Sequence, residues 1–88
     1  MAPKAVLLVV RLHGVVLQDA VMMKQDMLSV GGEVAIPRYT YDRMAETADI
    51  VVMGTVTQMD ALVGKLGRHY PRIRALGEEL ARVVENVP

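Results

Sequence analysis

The sequence predicts one small α/β domain of three layers. The expected sheet has three parallel strands in the order 2-1-3, with the first strand central. About three helices cover it, as in half of a Rossmann-type fold. Three observations predict this. Short apolar runs alternate with stretches of helical period, the pattern of strands joined by helical crossovers. The first apolar run is continuous rather than alternating, as in a strand covered on both faces. The chain has 88 residues, the length of one domain spanning 1–88.

The first strand is Ala5-Val6-Leu7-Leu8-Val9-Val10. Arg11 ends the run, which is too short for a secretory segment or a membrane span. Gly14 punctuates the chain. From Leu17 to Val30 the period changes. Ala20, Met23, Met27 and Val30 recur at three- and four-residue steps, which describes an amphipathic helix. Gly31-Gly32 stops it, since glycine accepts the positive φ common after a helix. Glu33-Val34-Ala35-Ile36 is a short second strand closed by Pro37. Arg38 to Asp49 is polar and reads as a loop, with one helical turn near Tyr41 to Glu46. Ile50-Val51-Val52-Met53 is the third strand and ends at Gly54.

A second helix runs from Thr57 to Leu66, with Met59, Leu62, Val63 and Leu66 as its apolar stripe. Thr57-x-x-Asp60 has the spacing of a capping box. Gly67 closes this helix, and Pro71 suits the first turn of a third. Ile73, Leu76, Leu80, Val83, Val84 and Val87 line one face of that helix. Arg74 with Glu78, and Glu78 with Arg82, stand at ion-pair spacing on the other. Gly77, costly in mid-helix, permits close packing against a neighbour.

Composition narrows the function. There is no Trp and no Phe, so Val and seven Met must fill the core. Ten basic residues balance ten acidic ones, which leaves no electrostatic footprint for nucleic acid or an anionic membrane. The same balance gives little self-repulsion, so self-association is expected. Without Cys there is no disulfide framework or thiolate metal site, which fits a reducing cytosol.

In a parallel sheet, ligands bind beyond the carboxyl ends of the strands. Three places map there: Arg11, His13 and Gly14; Pro37, Arg38 and Tyr39; and Gly54, Thr55 and Thr57. The last leads into a helix N-terminus, whose N–H groups can hold an anion. Arg11, Arg38, Gly54, Thr55 and Thr57 are therefore the candidate ligand-binding residues, for a phosphate or carboxylate. The simpler reading, that Gly54 makes a turn and Thr57 caps a helix, is the commoner one. Gly54-Thr55-Val56-Thr57 is neither a Walker loop nor a dinucleotide fingerprint. His13 and His69 lack partners at metal-ligand spacing and read as ordinary surface residues. Met22, Met23, Met27 and Met59 read as core. No catalytic residue, metal or cofactor is expected, because no nucleophile stands beside a base.

The segment from Met1 to about Leu80 resembles the stretch that precedes the catalytic barrel in the long dihydropteroate synthases of archaea and some anaerobic bacteria. Met1-Ala2-Pro3-Lys4-Ala5 stands at their Met-x-x-Lys-Ala start. Lys24-Gln25-Asp26-Met27-Leu28-Ser29-Val30-Gly31-Gly32-Glu33-Val34-Ala35 matches their helix ending in Gly-Gly-Glu. Ala48-Asp49 through Met53-Gly54-Thr55 follows their Thr-Asp-x-x-x-Met-Gly-Thr pattern. Gln58 and Leu62-Val63-Gly64-Lys65-Leu66 echo the helix after it. Ile36-Pro37-Arg38-Tyr39 departs from the family, where a small residue, an arginine and a glycine are common. In that family the pterin chemistry belongs to a (β/α)₈ barrel, which needs far more chain than this. The resemblance therefore implies a non-catalytic accessory domain that self-associates or docks on a synthase barrel. The alternative is a small module holding a pterin-like or anionic ligand at Gly54-Thr55. Arg38, Gly31, Gly32, Glu33, Gly54 and Thr55 are the positions the motifs single out.

Overall fold

The computed structural model describes residues 7–38, 40 and 46–86. Along them run β1 (Leu7–Val16), α1 (Leu17–Ser29), β2 (Glu33–Ala35), β3 (Thr47–Thr55), α2 (Val56–Leu66) and α3 (Pro71–Glu85). Ala5, Val6, Tyr39, the 41–45 part of the expected loop turn, and Val87 lie outside the described residues.

The parallel sheet is wrong. The three strands lie in the order β1-β3-β2, and β3 is antiparallel to both neighbours. β1 and β2 do run the same way, as a strand-helix-strand crossover requires. But β3 is inserted between them, which makes a split βαβ unit. The third strand is central, not the first.

Among the described residues the third layer is absent too. Along β1, Val10, Leu12 and Val15 are buried, whereas Leu7 and Val9 are each 64% exposed. Along β3, Ala48, Ile50 and Val52 are buried, and Asp49, Val51 and Met53 face the other way. The described helices therefore cover one face of the sheet only, which is common for antiparallel sheets. The core between helices and sheet holds Met23 and Met27 of α1, Met59, Leu62 and Leu66 of α2, and Ile50 of β3, all fully buried. Met22 is half-buried against it.

β1 extends six residues past Val10 because a bulge accommodates His13 and Gly14. These two residues oppose Asp49 alone, since Leu12 pairs with Ile50 and Val15 with Ala48. Gly14 takes φ 65° there, and its N–H donates to Asp49 Oδ1 at 3.0 Å.

α1 ends in a Schellman motif. Gly31 has φ 94°, its N–H donates to the Leu28 carbonyl, and the Gly32 N–H donates to that of Met27. α3 packs on α2 rather than on the sheet, through Ile73, Gly77 and Leu80. A Cβ on Gly77 would stand 3.1 Å from Leu66 Cβ, so the glycine lets the two helices close up.

Candidate functional site

The five predicted ligand residues do not converge. In an antiparallel sheet the carboxyl ends of β1 and β3 lie at opposite ends. Thr55 pairs with Leu7, and Arg11 pairs with Val51. Four residues of strand, about 14 Å, therefore separate Arg11 from the Thr55 level. Arg38 follows β2, whose Ala35 pairs with Val51, so the chain leaves that strand heading away from Thr55. Only Gly54, Thr55 and Thr57 stay together.

At that corner the helix is capped by Thr55, not Thr57. Thr55 Oγ1 accepts the Gln58 N–H at 3.1 Å, and Gln58 Oε1 accepts the Thr55 N–H at 2.9 Å. This reciprocal box uses two of the four free donors of the helix start. Thr57 is exposed one turn position later.

The glycines of the corner are filled by side chains. A Cβ on Gly54 would meet Met27 Cε at 2.6 Å and Gln58 Oε1 at 3.0 Å. On Gly32 it would meet Met27 Cε, Sδ and Cγ between 2.6 and 2.9 Å, and on Gly31 it would meet Gln58 Nε2 at 2.9 Å. The glycine motifs thus make room for Met27 and Gln58. Glu33 is held beside them: its Oε1 accepts the Val34 N–H at 2.8 Å and lies 3.4 Å from Lys24 Nζ. These contacts keep its carboxyl below the usual range, chiefly through the Val34 N–H. Lys24 also donates to the Val34 carbonyl.

A polar cluster missed by sequence reasoning ties the helices together. Asp19 in the first turn of α1 is 1% exposed. Its carboxylate accepts bonds from Tyr70 Oη at 2.6 Å and from Arg72 Nε and Nη2, the latter at 2.9 Å. The Arg72 guanidinium holds Asp19 below the usual carboxylate range, helped by Tyr70 and opposed by burial. In turn Asp19 raises the pKa of both Tyr70 and Arg72. Arg72 lies over the Tyr70 ring at 5.1 Å. Seven residues along α1, Asp26 Oδ2 stands 3.3 Å from His69 Nε2. His69 is thus a strap residue. His13 lies 3.4 Å from Asp49 at the bulge. One signal was available: Asp19 precedes Met23 by four residues, on the buried stripe.

Leu7, Val9, Val51 and Met53 on the open face of the sheet take part in none of these contacts. Register places Val9, Met53 and Glu33 in one row and Arg11, Val51 and Ala35 in the next. Leu7 and Thr55 form the row beyond. Apolar side chains hold the middle, and Arg11 and Glu33 sit on opposite margins.

Among the described residues, no three His, Cys, Asp or Glu side chains are grouped to hold a metal. No described helix is long and apolar enough to cross a membrane. In comparisons with known proteins, no family model, curated protein or solved structure matches the chain.

Proposed function

We propose that this chain is a non-catalytic accessory domain of the cytosol, related to the one that precedes the barrel of long dihydropteroate synthases, and that it works by docking on such a barrel. The observation that supports this reading is the open sheet face. Leu7 and Val9 are 64% exposed there beside half-buried Val51 and Met53, although Val10, Leu12, Ile50 and Val52 on the other face of the same strands are buried. A contiguous apolar surface with charged margins is the form an interaction site takes.

The test is light scattering on the chain mixed with a separately expressed dihydropteroate synthase barrel. A complex is expected, with affinity reduced at least tenfold by Met53→Lys on the open face. Absence of any complex, or a complex indifferent to Met53→Lys, overturns the reading. The alternative, an anionic or pterin-like ligand at Gly54-Thr55, predicts heat on mixing with pterin phosphates that is lost in Thr55→Ala and Arg38→Ala. The positions of Arg11 and Arg38 relative to that corner do not favour it.

A further inference from the structure

The two edges of the sheet are built differently. β2, one edge, is three residues long, carries Glu33 and is followed by Pro37. Short length, charge and proline are the usual protections of an edge against pairing with another chain. β1, the other edge, is ten residues long and pairs only with β3 among the described residues. Its second half is protected by Arg11 and by the bulge at His13 and Gly14. Its first half, Leu7-Leu8-Val9-Val10, has neither charge, proline nor bulge. In a complete βαββαβ arrangement a fourth strand would lie beside β1. Here α2 leads into α3, which packs on α2, and among the described residues the place beside β1 is open.

We propose that a second copy of this chain takes it, with the two β1 strands antiparallel about a two-fold axis at Val9, joining the sheets into one of six strands. This rests on the docking reading above and names a further partner, one that leaves the open face to the barrel. Three features select a second copy. An antiparallel edge pairs with itself isologously, every contact being made twice. A net charge of zero opposes association little. The register at Val9 sets Val9 against Val9 and Leu7 against the partner's Arg11. A register at Arg11 would oppose two guanidinium groups, and like charges directly opposite are unfavourable.

The chain has no cysteine, so single cysteines report the geometry directly. Directly opposed residues in adjacent strands have Cβ atoms about 5 Å apart, close to disulfide reach. Val9→Cys should cross-link into a covalent dimer under mild oxidation, and Met53→Cys, one strand further in, should not. Light scattering should find the unmodified chain dimeric at about 100 μM, with Val9→Lys weakening the dimer at least tenfold while circular dichroism stays unchanged. A chain monomeric at that concentration overturns the proposal. So does a dimer that cross-links through Met53→Cys and not Val9→Cys, since that is face-to-face packing. A monomer that still binds the synthase barrel overturns edge pairing and leaves the docking function standing; a monomer that binds no barrel overturns both.

Discussion

Asp19 carries a negative charge at 1% exposure, so its partners decide whether it stabilises the fold. Arg72 is itself 52% exposed, which makes the pair unequal. Removing Arg72 leaves a buried carboxylate with Tyr70 alone, whereas removing the Asp19 charge leaves a guanidinium that water can solvate. Arg72→Ala is expected to lower stability clearly and Asp19→Asn distinctly less, in urea unfolding at pH 7. Equal losses would refute the asymmetry. The pH dependence has a definite sign. The folded pKa of Asp19 lies below its ordinary 3.8, so the folded state binds fewer protons than the unfolded one in that range. The stabilisation is full above pH 3.8 and is lost as pH falls through the folded value. Asp19→Asn should therefore flatten the acid limb of stability, leaving the share of Asp49 and Glu33, which are also held low. At the glycine corner, Gly32→Ala inserts a methyl against fully buried Met27, with a cost of about 1–3 kcal/mol. In a Met27→Ala background that cost should largely vanish, because the cavity receives the methyl; additive costs in the double-mutant cycle would show that the contact is not the cause.

At the scale of the element, the start of α2 tests the cap. Thr55→Ala and Gln58→Ala should each lower stability by about 1 kcal/mol, and Thr57→Ala and Asp60→Ala should have little effect. A loss confined to Thr57 would restore the cap that spacing predicts. The confusion is physical: Thr55-x-x-Gln58 and Thr57-x-x-Asp60 both have the box spacing, and only the end of β3 decides which threonine is still extended. Helices were legible because Met23, Met27, Met59, Leu62, Ile73 and Leu80 recur with helical period, and all six are buried. The strand cores were legible as well. The surroundings of β1 were not. Leu7 to Val10 has the composition of a strand covered twice, yet Leu7 and Val9 face outward. A continuous apolar run cannot distinguish burial in the fold from burial by a partner.

For the whole molecule, topology was the level that sequence patterning missed. The order strand-helix-strand correctly implies that β1 and β2 run the same way. Nothing local says that β3 will enter between them, because that insertion is decided by pairings between distant residues of the chain, Leu7 with Thr55 and Arg11 with Val51. The candidate corner failed for the same reason, since its five residues share an end only in a parallel sheet. The real sheet has a gradient of protection that hydrogen exchange can read. Val51 to Met53 are flanked by paired strands on both sides and should exchange slowest. In β1, successive main-chain N–H groups point alternately toward β3 and toward the open edge. The inward set should be protected at every concentration. The outward set between Leu7 and Arg11 should exchange quickly in dilute solution and slow at least tenfold as the chain is concentrated, because the edge is then paired. Such selective, alternating protection belongs to strand addition: association through the open face would leave the outward amides of β1 fast at any concentration, and that result would move the interface from the edge to the face.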